Sequence, residues 1–190
     1  MRLVFATNNL NKLSEIRSLV PSHIEILSLK DINSYDKIPE TNPTLEENAL
    51  QKAKFIFDKY GFNCFADDTG LEIDALGGDP GVYSARYAGL SCNAEDNIRK
   101  VLHNLEHKKR EASFRTVISL IVDGHEEYFE GECFGSITKK VLGNSGFGYD
   151  PIFQPKGYSL TFAQMSKESK GLISHRGKAV QKLVDYLIQL

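Results

Sequence analysis

The amino-acid sequence predicts an α/β protein, and three features of the 190-residue chain indicate that class. The chain opens with a strand, a helix and a second strand, an order that is typical of α/β folds. A hairpin signal, Asp123-Gly124, lies between two long segments that are predicted as strands. The last segment is amphipathic, with apolar residues at helical spacing from Val180 to Ile188.

The individual elements follow from periodicity and from capping residues. Apolar residues spaced by three and four mark helices, and short apolar runs bounded by turn residues mark strands. Thr44 and Glu47 have the spacing of a capping box that begins a helix, and Gly61 ends it. In chain order, the sequence predicts strand 2–7, helix 8–20, strand 24–29, helix 44–60, strands 62–66 and 71–76, helix 93–105, two strands within 113–138 and helix 174–190.

Composition is ordinary for a globular protein and argues against some classes of function. The formal net charge is −2, whereas proteins that bind long nucleic acids usually carry a basic excess. The three cysteines form no CxxC pair, so we expect reduced thiols and a cytoplasmic location. The first apolar run is too short for a signal peptide, and no segment reaches the length of a membrane span. We expect one domain over residues 1–190.

Four polar stretches lie at the ends of predicted strands or helices, which is where open α/β sheets bind ligands. They are TNNLNK (7–12), IPETN (38–42), ADDTG (66–70) and SHRGK (174–178). The first joins a strand to a helix, and the free backbone N–H groups of a helix start can bind phosphate. A capped helix with a surface lysine is the simpler interpretation of that stretch.

The pair Asp67-Asp68 directly follows an apolar run, and burying two adjacent carboxylates is costly. Neighbours in a strand point to opposite faces, so one aspartate could face a ligand while the other serves a turn into Gly70. Carboxylates suit Mg²⁺, which prefers one or two of them plus substrate phosphates, and Glu40 is a second candidate ligand. Spacing alone does not choose between the two aspartates.

Two further features point to a nucleotide. Lys52 lies near the apolar face of its helix, where a lysine either extends to solvent or meets an acid or a phosphate. Phe147 and Tyr149, in a glycine-rich stretch, either pack in the core or stack on a base. Phosphate binders, metal ligands and aromatic rings together describe a nucleoside triphosphate site.

Five motifs in order make the sequence similar to the inosine triphosphate pyrophosphatase family, also called Ham1-like enzymes. They are TNNLNK, ETNPTLEENALQKA, ADDTGLEIDALGGDPGVYSARYAG, GFGYDPIF and SHRGKA, and they cover essentially the whole chain. The resemblance implies a mixed central sheet with flanking helices, two lobes around a substrate cleft, and a homodimer. It also implies Mg²⁺-dependent hydrolysis of ITP, dITP and XTP to the monophosphate and pyrophosphate, which cleanses the nucleotide pool.

The resemblance assigns roles to individual residues. Asp68 is the expected general base, Glu40 and Asp68 the Mg²⁺ ligands, and Lys52 a catalytic cation against the phosphates. The implied substrate contacts are Thr7, Asn8, Asn9, Leu10, Asn11, Lys12, Thr69, Phe147, Gly148, Tyr149, Asp150, Lys170, His175 and Arg176. Arg176 only donates hydrogen bonds, so we expect it to favour the 6-oxo group of hypoxanthine and xanthine over the 6-amino group of adenine. Asn8 and Thr69 differ from the residues of some members, which have glycine and serine there.

Three other functions stay open from the sequence. A Maf-like pyrophosphatase would act on pyrimidine or modified nucleotides. A nucleotide-binding sensor would bind without turnover, although a full set of acids and lysines argues against it. A structural or RNA-interaction protein is disfavoured by the net charge of −2.

Overall fold

The structure, a computed structural model, describes residues 1–190, and the chain divides into two compact units. The first unit contains residues 1–68, 116–131 and 176–190, and the second contains residues 69–115 and 132–175. The chain therefore alternates between the units along its length. The expectation that residues 1–190 form one domain stays a prediction.

The secondary structure is a mixture of seven strands and five α-helices. The strands are β1 (Arg2–Phe5), β2 (Glu25–Leu27), β3 (Cys64–Ile73), β4 (Pro80–Gly81), β5 (Glu111–Val122), β6 (His125–Ile137) and β7 (Phe153–Pro155). The helices are α1 (Leu10–Leu19), α2 (Leu45–Tyr60), α3 (Ala94–Asn104), α4 (Lys167–Ile173) and α5 (His175–Leu187). No helix combines the length and the apolar character needed to span a bilayer.

The strands pair in both directions, which confirms the predicted mixed α/β class. Their order is β2-β1-β3-β5-β6-β7, with β4 beside β3. Strand β1 is parallel to β2 and to β3, with Phe5 opposite Phe65. Strand β4 is antiparallel to β3, and β7 is antiparallel to β6.

In the first unit, the central strands carry apolar side chains on both faces. Phe5 and Phe65 point to one face, where their rings stack 4.6 Å apart among apolar residues of α1 and α5. Cys64 and Ala66 point to the other face and pack with residues of α2. Because successive strand residues alternate between faces, odd-numbered residues of β1 and β3 face α1 and α5, and their even-numbered residues face α2.

The second unit has a separate apolar core. Leu71 and Ile73 of β3 pack there with buried residues of α3, including Ile98 and Val101. Aromatic side chains fill the rest of this core: the Phe114 ring lies 4.7 Å from that of Phe153 and 6.1 Å from that of Phe162, centroid to centroid.

Strand β3 corrects the sequence analysis, because it is one strand and not two. The predicted strands 62–66 and 71–76 were separated by the aspartates, but β3 runs without a break from Cys64 to Ile73. Asp67 and Asp68 therefore lie inside a strand, where a turn was an alternative. Residues 74–76, also predicted as strand, form a 3-10 turn.

The helix boundaries are close to the predicted ones. Helix α1 begins at Leu10 and not at Asn8, because the Asn9 side chain caps it. The predicted N-cap of α2 is confirmed, because the Thr44 hydroxyl accepts the Glu47 N–H at 3.2 Å. The second bond differs from a capping box: the Glu47 carboxylate accepts the Thr44 hydroxyl at 2.9 Å and not the Thr44 N–H. Helix α4 and the short strands β4 and β7 were not predicted, since so few residues show no periodicity.

We expect Gly70→Ala to destabilise the protein, because β4 passes very close to this residue. An added methyl group at Gly70 would lie 2.9 Å from the carbonyl oxygen of Gly81, so the backbone must move. We expect the free energy of unfolding in urea to fall by about 2–3 kcal/mol. Gly61→Ala is the control, since no heavy atom lies within 4 Å of its added methyl group. Its left-handed φ makes that change cost about 1 kcal/mol. Equal losses would contradict the close approach.

Candidate active site

The loop TNNLNK begins α1 and directs one of its side chains inward. The Asn9 side chain accepts the N–H groups of Asn11 and Lys12 at 3.0 and 3.1 Å, and the Thr7 hydroxyl accepts the Asn9 N–H at 3.1 Å. The Asn8 amide donates to the Asp36 carbonyl at 3.4 Å, and Leu10 is exposed. The ammonium of Lys12 reaches β3. Of the six residues predicted as contacts in this loop, Lys12 is the one whose side chain bonds to Asp67.

The carboxylate of Asp67 lies between two cations. It accepts hydrogen bonds from Lys12 Nζ at 3.0 Å and from Arg176 Nη2 and Nε at 3.3 and 3.4 Å. Its side chain is 0% exposed. Asp67 is odd-numbered and faces α1 and α5, and these helices supply Lys12 and Arg176 from their first turns. Arg176 Nη1 also donates to Glu15 of α1 at 2.5 Å.

Electrostatics keep Asp67 ionised. Burial alone would raise the pKa of this carboxyl, but the charges of Lys12 and Arg176 outweigh burial and hold the pKa well below its usual range. Burial lowers the pKa of Lys12, an effect that Asp67 only partly opposes. A carboxylate with so low a pKa is a poor proton acceptor, so Asp67 serves as a fixed anion.

Asp68 points to the opposite face of β3, where α2 supplies Lys52. The buried ammonium of Lys52 donates to Asp68 Oδ1 at 3.0 Å and to Glu40 Oε1 at 2.5 Å. Glu40 comes from the loop before α2, and its side chain keeps 39% exposure. Of the two interpretations of Lys52, the one in which it meets acids is confirmed.

The pKa shifts in this second group separate Asp68 from the other acids. Burial raises the pKa of Asp68 above its ordinary value, and the charge of Lys52 offsets only part of that rise. Burial also acts to raise the pKa of Glu40, but Lys52 outweighs it and the net shift is downward. For Lys52, burial would lower the pKa, and the charges of Asp68 and Glu40 raise it instead. Asp68 is therefore the carboxylate best suited to accept a proton.

In the second unit, Lys170 lies among Phe147, Asp150 and Phe162. The buried Lys170 ammonium donates to Asp150 Oδ2 at 2.7 Å and lies 5.2 Å from the centroid of the Phe147 ring. Asp150 also accepts the Phe147 N–H at 2.9 Å. A cation over a ring and beside a carboxylate fixes the orientation of all three side chains.

The other predicted site residues of the second unit each have a different environment. The Tyr149 hydroxyl donates to the Ser84 carbonyl at 2.8 Å and its ring is buried, so for Tyr149 the packing interpretation holds. Gly148 takes a left-handed φ of +59° that glycine favours. The His175 ring stacks on Phe114 at 4.5 Å. Thr69 is half-buried in β3.

Sequence reasoning missed two residues beside the site: Glu15, which accepts a bond from Arg176, and Asn48, which holds the backbone of Asn42. Glu15 lies three residues after Lys12 on α1, and Asn48 lies four residues before Lys52 on α2. Side chains at these spacings share one face of a helix. Spacing thus places Glu15 and Asn48 beside Lys12 and Lys52, although it does not show what either side chain bonds to.

The residues present fit a magnesium ion. Glu40 and Asp68 direct carboxylate oxygens to one cation, Lys52, and Mg²⁺ prefers one or two carboxylates plus substrate phosphates. No group of three or more His, Cys, Asp and Glu side chains in residues 1–190 could hold a metal by itself. Glu40 and Asp68 therefore offer a divalent ion two carboxylates, and a phosphorylated ligand would add further oxygen ligands.

Comparisons with known proteins support one family. A family model described as the Ham1 family matches residues 3–186. The dITP/XTP pyrophosphatase of Flavobacterium johnsoniae is 55% identical over 188 residues, which cover 98% of each chain. The structure of the Staphylococcus aureus Ham1 protein has a TM-score of 0.89 and 38% identity, over 100% of this chain and 99% of its own. That of the Coxiella burnetii HAM1 protein has a TM-score of 0.91 and 36% identity, over 100% of both chains.

We expect Asp67→Asn to lower stability in a pH-dependent way, because the variant leaves Lys12 and Arg176 without the buried anion. At pH 7 the free energy of unfolding should fall by about 3–5 kcal/mol. The pKa of Asp67 is depressed in the folded protein, so its contribution is present above the unfolded-state pKa of about 3.9 and is lost as pH falls below it. The difference between wild type and variant should therefore shrink with acid in urea titrations.

Asp185→Asn on the exposed face of α5 is the control for this prediction. We expect it to change the free energy of unfolding by no more than about 0.5 kcal/mol at pH 7. A stability difference for Asp67→Asn that stayed constant as pH fell from 7 to 3 would contradict the ionised, depressed state of Asp67.

Proposed function

The chain belongs to the Ham1 family, and from that premise we propose that it hydrolyses non-standard purine nucleoside triphosphates. The substrates are ITP, dITP and XTP, and the products are the nucleoside monophosphate and pyrophosphate. The name of the 55%-identical relative, a dITP/XTP pyrophosphatase, supports this substrate class. The observation that carries the proposal is the pair of adjacent aspartates on opposite faces of β3, of which Asp67 binds Lys12 and Asp68 binds the buried Lys52. Their pKa values shift in opposite directions.

In the proposed reaction, Asp68 accepts a proton from a water molecule as the water oxygen bonds to the α-phosphorus. The bond between the α-phosphorus and the oxygen that bridges to the β-phosphorus breaks, and pyrophosphate leaves with that oxygen. Lys12 and Lys52 stabilise negative charge that develops on the phosphates, and removing one such group typically costs about 10²-fold in rate or more. The raised pKa of Asp68 supports its role as the base.

Glu40 and Asp68 would hold Mg²⁺ in this proposal. When bound, Mg²⁺ supplies positive charge that neutralises the phosphate oxygens. Before the metal binds, Lys52 holds the two ligand side chains in place from the side of α2. The convergence of both carboxylates on Lys52 supports this assignment, as does the partial exposure of Glu40.

The substrate contacts are those that the family resemblance implies. The stretch 7–12 would contact the triphosphate, and the remaining contacts fall to Thr69, residues 147–150, Lys170, His175 and Arg176. Selection of the base by Arg176 stays a prediction. Its guanidinium is bonded to Asp67 and Glu15, so a role in base selection requires that these donors be shared with the substrate.

We also propose that the protein acts as a homodimer in the cytoplasm, on a small-molecule substrate and without a nucleic-acid polymer or a membrane. The family resemblance supports the dimer. All three cysteines are free thiols, which is the state that a reducing compartment maintains.

Pyrophosphate release from a panel of nucleotides tests the proposed function. The panel is ITP, XTP, dITP, GTP, ATP and UTP, each with and without Mg²⁺. We expect release that requires the metal and favours ITP, dITP and XTP. Release that favours UTP would instead indicate the Maf-like reaction, and no release from any nucleotide would indicate a binding protein.

We expect Asp68→Asn to keep the fold and to lose most of its turnover. Asparagine has nearly the same shape but cannot accept the proton, so kcat should fall by about 10²–10⁴-fold. Single-turnover assays with ITP measure the loss, and circular dichroism checks the fold. Asp185→Asn again serves as the matched control. Turnover near the wild-type value in Asp68→Asn would overturn the assignment of the base.

A further inference from the structure

Asn48 is buried against the loop that carries Glu40. Its side chain belongs to α2, one helical turn before Lys52, and the residue is only 1% exposed. Asn48 Oδ1 accepts the N–H of Asn42 at 2.9 Å, and Asn48 Nδ2 donates to the carbonyl of Asn42 at 3.1 Å. One side chain thus pairs both backbone polar groups of a residue two positions after Glu40.

Gln51 makes a related contact one residue nearer to Glu40. Its Oε1 accepts the N–H of Thr41 at 3.0 Å, and its Nε2 donates to the Thr41 hydroxyl at 2.9 Å. Asn48, Gln51 and Lys52 have the i, i+3, i+4 spacing that places them on one face of α2. A single face of one helix therefore holds the loop at two backbone positions and binds the Glu40 carboxylate.

We propose that Asn48 is a positioning residue that acts through Glu40 on metal binding. The inference rests on the proposed function, because it takes Glu40 as a ligand. The bond from Lys52 holds Glu40 by a carboxylate oxygen, and a metal ion that binds Glu40 and Asp68 competes for those oxygens. The bonds from Asn48 go to the backbone, so they persist when the carboxylate changes partner.

Since Lys52 binds the Glu40 carboxylate and Asn48 binds the loop backbone, replacing Asn48 should affect how well the loop positions Glu40. Outer partners of a metal ligand orient it, and removing one typically weakens metal affinity by about 10–100-fold. Without Asn48, the loop keeps its contacts to Gln51 and the bond from Asn42 Nδ2 to the Glu47 carbonyl, but it loses both bonds to the Asn42 backbone. The Glu40 carboxylate would then sample more positions, and the metal affinity should fall.

Asn97 is a matched control in the second unit. It is a buried asparagine of α3, 4% exposed, and its Oδ1 accepts the N–H of Ala88 at 2.7 Å. Its Nδ2 donates to the carbonyl of Ala85 at 2.9 Å. Residue type, burial and contacts match those of Asn48, but the loop that it holds carries no proposed metal ligand.

The test compares Asn48→Ala with Asn97→Ala in the full-length protein. Binding of Mn²⁺ to the nucleotide-free protein is followed by electron paramagnetic resonance, and the Mg²⁺ concentration for half-maximal pyrophosphate release from ITP is measured separately. We expect Asn48→Ala to weaken Mn²⁺ binding by about 10–100-fold and to raise the half-maximal Mg²⁺ concentration by a similar factor. Asn97→Ala should leave both quantities within roughly twofold of wild type. We expect urea unfolding to show that Asn48→Ala and Asn97→Ala are each destabilised.

Two results would overturn the inference while leaving the proposed function intact. One is wild-type metal affinity in a folded Asn48→Ala protein, and the other is an equal loss of affinity in Asn97→Ala. If Asn48→Ala does not fold, Gln51→Ala replaces it and should weaken Mn²⁺ binding by about threefold or more. Wild-type affinity in Gln51→Ala would then overturn the inference.

Failure of the proposed function has a different signature. A wild-type protein that binds Mn²⁺ but releases no pyrophosphate from any nucleotide would contradict the function and leave the positioning role measurable through Mn²⁺ alone. A wild-type protein that hydrolyses ITP without any metal would remove Glu40 as a ligand, and the positioning role would fall with it.

Discussion

The arrangement of the first unit depends on the pairing of the Asp67 carboxylate with Lys12 and Arg176. A carboxylate without solvent exposure is tolerated only when cations and hydrogen bonds compensate for the lost water. The two cations come from the first turns of α1 and α5, and Arg176 is 109 residues from Asp67 in the chain. Neither helix can shift along β3 without leaving a charge unpaired in the interior, so this one anion fixes both helix starts.

The alternation of a β-strand then divides two adjacent, identical residues into different chemical roles. Asp67 faces α1 and α5 and receives two cations, whereas Asp68 faces α2 and shares one cation with Glu40. Their pKa values shift in opposite directions for that reason. The strand therefore presents a permanent anion on one face and a basic carboxylate on the other, and no loop is needed to separate them.

The features that could be predicted from the sequence are those set by residues close together in the chain. The N-cap of α2 at Thr44, the apolar face of α5 and the inward position of Lys52 all follow from spacings of three or four residues. The continuity of β3 did not follow, because two adjacent acids inside a strand resemble a turn until their cations are known. Those cations lie 55 and 109 residues from Asp67, and no local pattern encodes such pairings. The contact of Arg176 with Glu15 was hidden for the same reason.

The division of the chain between the units also bears on how the protein is made. The first unit needs residues 176–190, whose Ala179, Val180 and Leu183 belong to the same core as Phe5 and Phe65. Since a ribosome delivers the chain from its N-terminus, Asp67 emerges with Lys12 available and Arg176 not yet synthesised. A nascent chain that stalls before residue 176 lacks one buried cation and one side of an apolar core. Such a chain exposes apolar surface, to which chaperones bind, and it is a target for proteases.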